Sequence, residues 1–112
     1  MTSQGSAHGR FARAIAQKNI RGAEIAAKEM GGLSLLDALD YLLLLAEVRP
    51  DRFEPAAIRW HGRLETESVG LTLSESHLAL AALGDLRSAG DSVDILKRLL
   101  RRVRPTLVPP TR

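Results

Sequence analysis

The sequence predicts an all-α protein: about six short helices arranged as three antiparallel helical hairpins. These would form either a compact orthogonal bundle or a short helical-repeat-like array. Three observations carry the prediction. Four helix-start signatures recur at starts 17, 21 and 19 residues apart: Ser34-Leu-Leu-Asp37, Asp51-Arg-Phe-Glu54, Thr72-Leu-Ser-Glu75 and Asp91-Ser-Val-Asp94. In each, a cap oxygen can accept from the backbone N–H three residues on, and the acidic residue there can reach back to the cap's own N–H. The hydrophobic content is aliphatic, with 19 leucines against only Phe11, Tyr41, Phe53 and Trp60 as aromatics. That suits packed helices better than a sandwich of strands. Gly31-Gly32, Pro50, Gly70, Gly90 and Pro105 then separate apolar runs of helix length.

Residues 1–7 read as a flexible tail. The first helix is expected over about Ala7 to Lys18, with Phe11, Ile15 and Ala12 inward. Asn19 caps a second, Ile20 to Met30, which Gly31-Gly32 ends because glycine adopts the left-handed conformation of a helix terminus. The third, about Leu35 to Val48, is the most apolar. Leu35, Leu36, Leu39, Leu42, Leu43 and Ala46 form a stripe that Leu44 and Leu45 extend almost around it. Such a helix is buried in its own chain or covered by another. Arg49-Pro50 stops it, since the residue before proline is pushed out of helical geometry.

The fourth helix starts between Asp51 and Pro55 and packs through Ala57, Ile58, Trp60 and Leu64, with Gly62 as a possible point of close approach. The fifth spans about Leu73 to Ser88, with Leu78, Leu80, Ala81, Leu83 and Leu86 inward and Ala89-Gly90 as its stop. The sixth spans about Ser92 to Arg104, with Val93, Leu96, Leu99, Leu100 and Val103 inward. Residues 8–104 are therefore expected as a single helical domain and 105–112, with Pro109-Pro110, as an extended C-terminal tail.

The Gln17-Lys18-Asn19-Ile20-Arg21-Gly22-Ala23 turn resembles the turn of tetratricopeptide-like helical repeats. The resemblance covers this one turn, and the family's large and small positions do not recur at its spacing of about 34 residues. It implies architecture alone. The composition also resembles that of small Ala/Leu/Arg-rich bacterial proteins of high-GC genomes, which implies no activity.

Composition removes several classes of function. The chain has no cysteine, so disulfides, thiolate metal sites, iron–sulfur clusters and a Cys nucleophile are excluded. Its longest apolar run, Leu42 to Ala46, is far short of the roughly 20 residues of a membrane span. Met1 to Gly9 has no apolar signal segment, and a cytoplasmic location is expected. Net charge is +3, distributed as +3 over residues 1–32, −3 over 33–70, −1 over 71–90 and +4 over 91–112. Basic ends around an acidic middle suit an acidic partner, nucleic acid or end-to-middle pairing of two copies.

No motif carries catalysis. His8, His61 and His77 lie on separate elements, with no pair at the four-residue spacing of a helical metal site. His61 with Glu65 reads as a surface pair, and His77 with Ser74 and Glu75 lacks the strand, nucleophile elbow and oxyanion loop of a hydrolase. Asp37 and Asp40 share a helix face near a helix start, where carboxylates are favoured by the helix dipole. Gly31-Gly32 lacks the Lys-Ser/Thr of a phosphate loop. Glu24 to Ser34 has the outline of a DNA-reading helix-turn-helix, but the helix after it offers leucines and aspartates where base edges need Arg, Lys, Asn or Gln.

The strongest chemical feature is the last helix. Lys97, Arg98, Arg101, Arg102 and Arg104 form a basic face that could track phosphates or an acidic partner, or simply face solvent. The expected function is a non-enzymatic helical interaction module binding another protein or itself, with Leu44, Leu45 and Trp60 as its interface. The alternative is a nucleic-acid-binding accessory protein of little sequence specificity that uses the basic C-terminal helix, helped by Arg10, Arg13 and Lys18. No cofactor, metal or small-molecule substrate is expected.

Overall fold

Helix caps set the frame of this all-α chain. The computed structural model describes residues 6–87 and 90–105. Its helices are α1 (Ala7–Ala16), α2 (Ile20–Met30), α3 (Leu35–Val48), α4 (Pro50–Glu67), α5 (Leu73–Gly84) and α6 (Asp91–Arg102). Two short strands, β1 (Ser68–Val69) and β2 (Arg104–Pro105), pair antiparallel, Ser68 opposite Pro105 and Val69 opposite Arg104. The sequence assigned Val69 to a turn, Arg104 to the end of the last helix and Pro105 to its stop, because two-residue strands are too short to show a period. Residues 1–5 of the expected N-terminal tail, residues 106–112 of the C-terminal tail, and Ser88 and Ala89 lie outside the described residues.

The caps sort into two kinds. Ser34 and Thr72 act as expected, accepting from Asp37 N at 3.0 Å and Glu75 N at 3.1 Å. Only Thr72 closes the reciprocal box, through Glu75 Oε1 on its own N–H at 3.0 Å. Asp51 and Asp91 are not caps. Pro50 takes the first position of α4, where its missing N–H costs nothing, and Asp51 lies in the first turn with its carboxylate held by Arg49. Asp91 is the first helical residue after Gly90, so Asp91 and Asp94 act on the helix dipole instead. Ser6 caps α1, accepting from Gly9 N at 3.0 Å.

Contacts divide the chain into two units, Met1–Glu54 and Pro55–Arg112, the division falling inside α4 at Pro55. In the first unit α1 packs chiefly on α2, and both touch α3. Phe11, Ala14, Ala23 and Ala26 are buried there, with Ile15, Ala27, Met30, Leu33 and Tyr41 against them. A Cβ on Gly22 would lie 2.7 Å from the Asn19 amide nitrogen and 3.4 Å from Ala14 Cβ, so glycine lets the cap of α2 and the side of α1 close up. Lys18 takes a left-handed φ of 58° in the turn between them. Leu35, Leu39, Leu42, Leu44 and Leu45 of α3 are buried, while Leu36 is exposed.

In the second unit α5 packs on α6. Ala57, Trp60 and Leu64 of α4 are buried, but Ile58, expected inward, is exposed. Gly62 has open space around its would-be Cβ, so it permits no close approach. On α6 the buried residues are Ser92, Leu96 and Leu99, followed by Val103. On α5 they are Ser76, Ala79, Ala82 and Leu83, followed by Leu86; Leu78, Leu80 and Ala81 face outward. The helix is turned so that Ala79 and Ala82 meet the core with Leu83 and Leu86, as expected for the last two, while Leu78 and Leu80 do not. Among the described residues no helix is long and apolar enough to cross a membrane.

Candidate functional site

Helix α5 carries the most unusual surface. Its buried residues recur at positions 76, 79, 82, 83 and 86, an arc that needs only one side of a 3.6-residue helix. The other side is left to Leu73, Ser74, His77, Leu78, Leu80, Ala81 and Gly84, all exposed. Leu73 is 90% exposed, Leu78 48% and Leu80 46%. From Ser76 to Gly84 the chain has no Asp, Glu, Lys or Arg. Ser74, His77, Leu78, Leu80 and Ala81 line a shallow open recess. The sequence reading missed this face because α5 is apolar on both sides, and the larger residues were assigned to the core. The available signal was a second apolar set, Ala79, Ala82, Leu83 and Leu86, that shares one side of the helix with the small Ser76.

The three residues expected at an interface belong to the interior. Leu44, Leu45 and Trp60 are 3%, 1% and 2% exposed, so the chain itself covers the stripe of α3 that could have been covered by a partner.

The basic face of α6 is only partly available. Arg98 and Arg101 are exposed and Lys97 is half-buried; among the described residues none of the three forms an ion pair. Arg102 is committed to the fold. It donates to the Gly70 carbonyl at 2.6 Å and pairs with Glu75, fastening the end of α6 to the start of α5. The Arg102 hydrogen bond, with the Thr72 backbone N–H, holds the Glu75 carboxyl below its usual range. Arg104 enters β2, and its side chain lies outside the described residues. In the first unit, Arg10 pairs with Glu29 and Lys18 with Glu47.

A serine, a histidine and a carboxylate do meet, between α4 and α5. His61 Nε2 lies 3.0 Å from the Ser76 carbonyl oxygen and 3.1 Å from Ser76 Oγ, and Ser76 Oγ donates to Glu65 Oε2 at 2.7 Å. Hydrolytic chemistry needs the imidazole between the serine and the carboxylate, accepting the hydroxyl proton. Here the hydroxyl proton goes to Glu65. Nε2 faces a carbonyl that can only accept, so it carries the hydrogen and cannot take another from Ser76. The cluster is a clasp between two helices. His77 lies on the exposed side of α5, away from it.

A second polar cluster lies in the first unit. Tyr41 donates its hydroxyl to Glu24, and Arg52 donates to Glu24 Oε2 at 2.7 Å and to the Tyr41 oxygen at 3.3 Å. Burial, and then the Glu24 hydrogen bond, push the Tyr41 phenol up to about 12, while Tyr41 and Arg52 hold Glu24 low. All three members are satisfied by one another. The adjacent open pocket, about 390 Å³, is lined mainly by apolar atoms of Ala27, Leu33 and the Gly31-Gly32 turn. Asp37 pairs with His8 at 3.3 Å, and no group of three His, Asp or Glu side chains converges as a metal site among the described residues.

No family of known proteins, no curated protein and no solved structure matches this chain.

Proposed function

We propose that the chain is a non-enzymatic helical interaction module that binds another protein or a second copy of itself through the outer face of α5. One observation carries this: Leu73, Leu78 and Leu80 stand exposed on a helix face free of charged residues. Isolated exposed leucines are ordinary, but a contiguous apolar face on a folded helix is the usual mark of a binding surface. The test places a photo-crosslinking amino acid at Leu80, with exposed Arg59 as the control position, in living cells. Protein adducts at Leu80 that a Leu73→Asp change removes are the expected result. Absence of any protein adduct at Leu80 overturns the proposal.

A second reading has its own observation. Lys97, Arg98 and Arg101 form no ion pair among the described residues, which leaves them available to phosphates. Under this reading the protein binds nucleic acid with little sequence preference. Affinity for random-sequence DNA or RNA then falls with added salt, by about 0.9 log units per log unit of salt for each duplex phosphate contacted. Arg98→Ala with Arg101→Ala removes the binding without loosening the fold. Arg102→Ala is unsuitable for this purpose, because it also unfastens α6 from Glu75 and Gly70. No binding at low salt ends this reading.

A further inference from the structure

We infer that the pocket beside the Tyr41–Glu24–Arg52 cluster binds a small, neutral, planar aromatic molecule that carries one N–H or O–H donor, of the indole or phenol class. The inference is independent of the α5 face and adds a small ligand to a chain read so far as binding macromolecules. The pocket volume of about 390 Å³ lies within the range of about 300–1,000 Å³ ordinary for small-molecule sites. Its lining residues Ala27, Leu33 and Tyr41 pack on the buried cluster of the first unit, so the floor stands formed before any ligand arrives.

The Gly31-Gly32 turn makes one wall of bare backbone. Gly31 has φ 80° and Gly32 φ 126°, conformations that side chains rarely allow, and a Cβ at either would project into open space. A wall without side chains, beside the single methyl of Ala27, is low and flat. It fits a planar ring better than a branched aliphatic body. It also leaves one side of the ligand open to water, so binding is weak by the standard of an enclosed site.

One unfilled acceptor supplies the polar contact. The Tyr41 hydroxyl and Arg52 both donate to Glu24 Oε2, and Glu24 Oε1 accepts no hydrogen bond among the described residues. Glu24 lines the pocket, and the hydrogen bond from Tyr41, then Arg52, holds its carboxyl low, so the acceptor is ionised at neutral pH. The two donors also fix the carboxylate, so a ligand N–H or O–H meets a group already oriented. The charges around the pocket favour a neutral ligand. Arg52 balances Glu24 at 2.7 Å, and Lys28 at the rim stands in the last turn of α2, against the negative end of that helix. With each charge already answered, an ionic ligand would give up its hydration for no unpaired counter-charge.

The test uses the full chain and two probes of one shape, indole and benzofuran, in which an ether oxygen replaces the N–H. Backbone amide shifts in nitrogen–proton NMR spectra read the binding. Indole is expected to shift the amides of Ala27, Gly31, Gly32 and Leu33 saturably. It should bind about tenfold tighter than benzofuran, the worth of a hydrogen bond to a charged acceptor. Glu24→Gln inverts the contact. Tyr41 and Arg52 can donate only to the amide oxygen, so the amide nitrogen takes the place of Oε1 and presents donors instead. Indole should then lose its advantage, with the urea midpoint at neutral pH showing a folded chain. Four results overturn the inference: no saturable shift up to the solubility of indole, equal binding of the two probes, an indole preference that survives in Glu24→Gln, or shifts centred on Leu78 and Ala81. If Glu24→Gln does not fold, the two probes on the unaltered chain decide alone. None of these outcomes bears on the cross-linking test at Leu80, so the two readings stand or fall separately.

Discussion

Ser76 spends its hydroxyl proton on Glu65 and lends its carbonyl to His61, so a residue type that suggests a nucleophile works as a rivet between α4 and α5. Ser76→Ala leaves Glu65 and His61 each short of one partner and should lower unfolding free energy by about 1–2 kcal/mol, read from urea denaturation. Gly22 and Gly62 make a paired test. Gly62→Ala places a methyl in open space and should stabilise by up to about 1 kcal/mol, the helix-propensity difference. Gly22→Ala displaces the Asn19 cap and should cost about 1 kcal/mol. Tyr41 is the only tyrosine in the chain, so ultraviolet absorbance titrates it alone. Its ionisation is expected at about 12 in the folded protein, against 10.0 when unfolded. Because the folded value is the higher, this contribution to stability is complete below pH 10 and is lost as pH rises toward the folded value.

At the scale of elements, the helices α2 and α3 lie where their sequence placed them, because Asn19, Ser34 and the Gly31-Gly32 turn are local signals read over a few residues. Helix α5 begins at its capping box as expected, yet its roll about its own axis was not legible. A cap fixes where a helix starts and says nothing about which of two apolar sides is buried. The side chosen has Ala79 and Ala82, and it brings Glu75 within reach of Arg102 on α6. Helix α3 posed the opposite problem. Its leucines run nearly all round, and burial within the chain, not a partner, accounts for Leu45. Leu45→Asp should therefore collapse the circular dichroism signal of the isolated chain rather than dissociate a folded complex, since it buries an unpaired carboxylate.

For the whole molecule, acid is the expected weak point. Glu24, Glu67 and Glu75 have carboxyls held below the ordinary 4.5 by hydrogen bonds from Tyr41, Arg63 and Arg102 respectively, each with its arginine close by. A carboxyl lowered in the folded state stabilises fully above its unfolded value and loses that contribution as pH falls through the folded one. The urea midpoint should thus decline below about pH 4.5, and Glu24→Gln should make the decline shallower, as measured by denaturation at a series of pH values. The same bonds draw Arg52 and Arg102 out of the pool of free cations, so the +3 net charge overstates what is offered to a partner. The sequence by itself determined the helical class, the positions of most helix ends and the aliphatic character of the core, since capping, propensity and glycine or proline stops act within one turn of the chain. Only the tertiary structure decided that Leu44, Leu45 and Trp60 are interior, that Arg102 is a fastening, that Ser76, His61 and Glu65 meet, and that Leu73 and Leu80 face outward. Each of these depends on which residue of a distant helix lies opposite, and no local pattern encodes that.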